Sequence, residues 1–87
     1  MPLAPERSTL LTPEQCRAAR GLLGWSQAQL AEAAAIGIVT VHLLEGALTR
    51  PRNATLDVVR RAFEQAGVIF IDEDDGAGPG VRLKKSP

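Results

Sequence analysis

Few side chains in this sequence are equipped for chemistry. There is one cysteine, Cys16, one histidine, His42, no tyrosine, and a carboxylate run, Asp72-Glu73-Asp74-Asp75, that precedes GAGPG. Nothing near Cys16 in sequence would depress its pKa, so it reads as a core thiol and not a nucleophile. His42 has no second ligand at metal-binding spacing, and no pair of catalytic carboxylates stands on a recognisable scaffold. The acidic run lacks the Gly-centred ligand spacing of a calcium loop and reads as a solvated loop. GAGPG follows acids and precedes a strand-like segment, the wrong context for a phosphate-binding turn. The expectation is no enzyme, no cofactor, no metal and no evident small-molecule substrate.

The bulk properties leave room for one small domain. At 87 residues the chain is near the lower end of the range in which a single apolar core suffices, and a partner subunit would help it. Ten basic and ten acidic side chains cancel, so no global positive field advertises a nucleic-acid partner. Their distribution is uneven: residues 14–61 carry six Arg against four acids, and the negative charge gathers at 72–75. The opening MPLAPERST is too polar and short for a signal peptide, and no apolar run approaches the roughly 20 residues of a membrane span. A single cysteine forms no disulfide framework. A cytoplasmic protein with no membrane partner is expected.

Four helices and a hairpin must position whatever site exists. Thr12-Pro13-Glu14-Gln15 predicts a helix start, with Thr12 as N-cap, Pro13 at the first helical position and Gln15 completing a capping box. That helix runs over about 13–23, stopped by Gly24, with Cys16, Ala19, Leu22 and Leu23 as its apolar face. Ser26 and Gln29 repeat the capping box for a second helix through Ala34. A break at Ala35-Ile36-Gly37 leads to a third helix over about 37–46. After Arg50-Pro51-Arg52, Asn53 is placed to cap a fourth helix to Ala66, whose Leu56, Val59 and Phe63 face inward. VIFID, the turn-rich loop and VRLKK then predict a β-hairpin. Residues 1–10 and the end beyond Lys85 are expected to fray.

The middle of the chain carries the most specific pattern. Two short helices joined by a three-residue turn need a small residue where they cross, which Ala31 supplies. They also need apolar side chains to lock the angle, supplied by Leu30, Ile36, Val41 and Leu44. In this segment, with RGLLGWSQAQLAEAA, VTVHLLEGALTRPR and TLDVVRRAFEQAG, the sequence resembles the Xre-type, lambda-repressor-like helix-turn-helix regulators over residues 12–67. In that family the GWSQ-type start of the second helix, the small crossing residue and the Glu ending the third recur together. The hairpin resembles an extension found in a subset of short bacterial members.

The resemblance implies a mostly α, four-helix domain over 11–67, a dimerising hairpin over 68–87, and double-stranded DNA as partner. The third helix would lie in the major groove, presenting Ile38, Val39, His42 and Leu43 to the bases. Gln27, Thr40, Arg50 and Arg52 would serve the DNA backbone, and Arg20 with Glu45 would form an inward ion pair. Two residues depart from the family's habit. Ala35 stands where Gly is common, and Ile38, Val39 and Leu43 stand where Arg, Lys, Gln or Ser are common. Apolar side chains read the thymine methyl but form none of the bidentate bonds that specify guanine or adenine. The rival reading is an apolar patch for a protein partner. Arg60 and Arg61 read as a solvated helix face. In VIFID both faces are apolar, and a small monomer covers only one. Val68, Ile69, Phe70, Ile71, Val81 and Leu83 are therefore the candidates for a homodimer interface.

Overall fold

The computed structural model describes residues 11–47 and 49–85. The expected flexible segment 1–10 and the frayed end beyond Lys85 lie outside the described residues. Both capping boxes form. Thr12 Oγ1 accepts from the Gln15 amide at 3.0 Å and Gln15 Oε1 from the Thr12 amide at 3.0 Å, opening α1 (Pro13–Leu23). Ser26 and Gln29 do the same for α2 (Gln27–Ala34) at 3.0 and 2.7 Å. Gly24 closes α1 at φ 68°, a left-handed cap that glycine adopts without a Cβ clash. After the three-residue break, α3 spans Ile38–Gly46, and α4 spans Asn53–Gln65.

Asn53 does not cap α4. The Arg52 carbonyl already accepts the Thr55 and Leu56 amides at 3.0 and 3.1 Å, so the helix begins one residue earlier and Asn53 is its first helical residue. Leu22 also departs from expectation, at 42% exposed. At about 100° per residue it lies roughly 120° around α1 from Cys16, whereas Ala19 and Leu23 stay within about 60°.

β1 (Val68–Ile71) and β2 (Gly80–Leu83) pair antiparallel, with Val68 opposite Leu83 and Ile71 opposite Gly80. One core runs through helices and hairpin alike, including Leu30, Val41, Leu44, Leu56, Val59, Phe63, Val68 and Phe70. Val68 and Phe70, at 1% and 9% exposed, are therefore spent on the chain's own interior and are not available to a partner. Val81, opposite Phe70, is partly buried against the same core. Of the six interface candidates, Ile69, Ile71 and Leu83 remain exposed.

Aromatic contacts carry the hairpin's attachment. Trp25 stacks on Phe63 with centroids 5.7 Å apart, and Phe63 meets Phe70 at 6.1 Å. The Arg60 guanidinium lies 4.8 Å above the Phe70 ring, so its side chain is 14% exposed and covers the core rather than forming a solvated face. Arg61, 68% exposed and paired with Asp57, is the solvated residue of the two. Among the described residues no single helix is long and apolar enough to cross a membrane.

Ala35 closes α2 in the left-handed region at φ 57° and ψ 45°. A β-carbon there costs roughly 1–2 kcal/mol, partly offset in Gly by greater unfolded-state freedom. Ala35→Gly is expected to raise stability by about 0.5–1 kcal/mol, read as a higher urea midpoint at unchanged slope. An unchanged or lower midpoint would mean that the turn stores no strain at this position.

Candidate functional site

The α2–α3 unit is the most specific construction in the chain. Its helix axes turn by 116° across the three-residue break. Leu30, Ala31, Ala34, Val41 and Leu44 are buried where the two helices meet the core, and Ile36 packs against them. The turn is closed by the Ile36 amide donating to the Ala31 carbonyl at 3.0 Å and the Ala35 amide to Glu32 at 3.2 Å.

With Val41, Leu44 and Glu45 directed inward, the rest of α3 faces out. Val39 is 63% exposed and Ile38 41%, and His42 is exposed beside them. Leu43 and Thr40 are half-buried. Arg50 and Arg52 are both exposed in the α3–α4 connection. The outward surface of α3 thus carries no formal charge, because its one charged residue, Glu45, is turned in.

Glu45 is the centre of a buried polar knot. Arg20 grips it with two hydrogen bonds, Nε to Oε2 at 2.7 Å and Nη2 to Oε1 at 2.8 Å. The Gln27 amide donates to Oε1 at 3.0 Å, and the Cys16 thiol donates to Oε2 at 3.1 Å. Arg17 donates to the Glu45 backbone carbonyl, satisfying the end of α3, and Arg20 Nη1 reaches the Trp25 carbonyl at 3.0 Å. The Glu45 side chain is 3% exposed and that of Arg20 is 20%.

Burial works against the Glu45 charge, but the bonds from Arg20, Gln27 and Cys16 outweigh it and hold the carboxyl down at about 2. The same contact raises Arg20 above its ordinary value against the cost of burial. Burial and the Glu45 carboxylate push the Cys16 thiol far up, so it stays protonated and does no nucleophilic work. Among the described residues no buried side-chain nitrogen or oxygen lacks a partner. No group of three or more His, Cys, Asp or Glu there is placed to hold a metal ion.

Gln27 is half-buried and spends its side-chain amide on Glu45, in keeping with a supporting role beneath α3. Three roles escaped the sequence. Arg17 is one turn before Arg20 on α1, so helical spacing puts it on nearly the same face as the residue that the resemblance pairs with Glu45. The Cys16 thiol bond had no local signal. Gln15, at 4% exposed, was visible only as a capping residue, yet its amide also donates to the Gly80 carbonyl at 3.0 Å, 65 residues away. No protein-family model matches the chain, and no curated protein matches it significantly.

Two outcomes follow from the knot. Arg20→Ala is expected to cost about 3–5 kcal/mol by stranding Glu45, whereas Arg20→Met with Glu45→Leu costs much less. A double-mutant cycle from urea unfolding measures this, and independent effects below about 1 kcal/mol would refute it. The second outcome is a pH dependence. Since folding lowers the Glu45 pKa from 4.5 to about 2, its contribution is complete above about pH 4.5 and is lost as pH falls towards 2. The loss amounts to about 3 kcal/mol. Glu45→Gln is expected to be less stable at pH 7 and flatter between pH 5 and pH 2.5. An equal slope in both proteins would assign the acid sensitivity elsewhere.

Proposed function

We propose that this chain is a cytoplasmic, sequence-specific DNA-binding transcriptional regulator of the lambda-repressor-like helix-turn-helix type, a repressor or autoregulator that binds a palindromic operator as a dimer. The observation that carries the reading is the α2–α3 unit. A 116° turn across three residues falls within the roughly 90–120° of helix-turn-helix pairs, and the buried apolar positions are those that lock such a crossing. The surface left outside, Ile38, Val39 and His42, is where a recognition helix meets base edges.

The chemistry divides the work. Ile38 and Val39, with the exposed part of Leu43, press on thymine methyl groups, and His42 supplies a polar contact to a base edge or a phosphate. Arg50 and Arg52 supply charge to the backbone, with Thr40 as a lesser contributor. Gln27 acts indirectly, bonding the carboxylate that fixes α3. In a dimer the two recognition helices stand about 34 Å apart, one turn of the duplex.

Selection of bound sites from a random duplex pool, at stated salt, tests this reading. A palindrome containing A·T pairs is the expected product. Arg50→Ala or Arg52→Ala is expected to weaken specific and non-specific binding alike, and to reduce the salt slope by about one per lost phosphate contact. Val39→Ala is expected to lower the preference for thymine over uracil at one step while the slope holds. If no sequence is enriched, or if Ile38, Val39 and His42 all tolerate Ala on the selected site, the exposed uncharged face of α3 belongs to a protein partner instead.

A further inference from the structure

The side of the hairpin turned away from the helices carries an apolar stripe that nothing among the described residues covers. Ile69 is 39% exposed and Ile71 42%, while their neighbours Val68 and Phe70 are buried. Ile69 lies opposite Arg82 and Ile71 opposite Gly80. With Leu83, Lys84 and Lys85 they border a shallow depression of about 660 Å³. Gly80 keeps that face low, since only Ile71 Cδ1, at 3.9 Å, lies near where a Cβ would stand.

The two ends of the hairpin are oppositely charged. Asp72, Glu73, Asp74 and Asp75 are exposed where β1 enters the loop, and Lys84 and Lys85 are exposed just past β2, with Arg82 one step inside. Among the described residues Asp72 alone of these acids has a cationic partner, Arg60 at 3.7 Å, and neither Arg82 nor the two lysines have an acidic one. A four-residue strand spans roughly 14 Å. Each hairpin is therefore a short rod, negative at the loop end and positive at the open end.

We infer that this face binds a second copy of the chain, hairpin against hairpin, across a two-fold axis perpendicular to the strands. Two kinds of two-fold axis bring outer face onto outer face. An axis parallel to the strands stacks acidic loop on acidic loop. The perpendicular axis lays each acidic loop over Lys84 and Lys85 of the partner subunit and packs Ile69 of each copy against Ile71 of the other, so charge selects it. The stripe is small, which places assembly at micromolar rather than nanomolar concentration. The inference names the partner that operator binding calls for, but it rests on the hairpin alone and survives if α3 reads no DNA.

Sedimentation equilibrium of the full chain, up to on the order of 200 µM at low salt, tests it without DNA. The expected result is a species of twice 9.3 kDa that weakens as salt rises. Ile69→Lys with Ile71→Lys should give a monomer whose circular dichroism and Trp25 fluorescence match the parent. Lys84→Asp with Lys85→Asp should weaken self-association by about tenfold or more. Mixing that variant with Glu73→Lys, Asp75→Lys should restore a heterodimer. The inference is overturned by a chain that stays monomeric throughout, by a dimer that survives the isoleucine changes, or by charge-swapped variants that fail to prefer each other. The charge swaps touch only exposed residues and decide the matter even if the isoleucine variants misfold.

Discussion

One buried carboxylate sets the geometry on which everything else in this molecule depends. Burial of Leu30, Val41 and Leu44 drives α2 and α3 together, but apolar burial is non-directional and accommodates a range of crossing angles. Glu45 does not. Its oxygens receive bonds from Arg20 and Cys16 on α1 and from Gln27 on α2, and its own carbonyl receives Arg17. Helices of eight and nine residues are too short to persist alone in water. Their register comes from being tied to the 11-residue α1 at one point with fixed donor directions. A buried ion pair is weak evidence of net stability, because desolvation offsets much of its attraction. Its consequence is that any other packing of α3 strands a charge.

The hairpin is tied to the same body by a second, less visible constraint. The Gln15 side chain closes the α1 cap with its oxygen, and its amide donates to the Gly80 carbonyl at the loop end of the ladder. Trp25, Phe63, Phe70 and Arg60 stack in series from the α1–α2 connection to β1. A chain of this length buries a smaller share of its surface than a larger domain does. Drawing Val68 and Phe70 into the helical core therefore enlarges it, and the alternation of the strand then forces Ile69 and Ile71 outward.

How much of this could be read from the sequence follows from the range of each interaction. The two capping boxes and the stop at Gly24 are local, and the residues that make them lie within a few positions of one another. The start of α4 falls one residue before the place that the capping side chain of Asn53 suggests, because extended Arg52 precedes the helix and caps it with no side-chain bond, which no residue type signals. Leu22 was misassigned because a run of apolar residues hid a face that 100° geometry excludes. The alternation in VIFID revealed two apolar faces without saying which of them the chain would cover itself. The bonds of the Gln15, Cys16 and Gln27 side chains reach groups 18 to 65 residues away, and no local pattern encodes them.

Turning Glu45 inward has a further consequence for the proposed interface. It removes the one charge from the outward surface of α3, and with it a carboxylate that phosphate would repel. The cations left nearby in sequence, Arg50 and Arg52, belong to the connection after the helix and not to the helix itself. On the proposed reading, sequence preference and electrostatic affinity then reside on separate segments. Methyl contacts of α3 would be short-ranged and insensitive to salt, whereas the linker arginines would act through counterion release and set the salt dependence. A protein of zero formal net charge gains no attraction to DNA from its overall field, so the local placement of those two arginines decides whether the neutral helix is held against a groove at all.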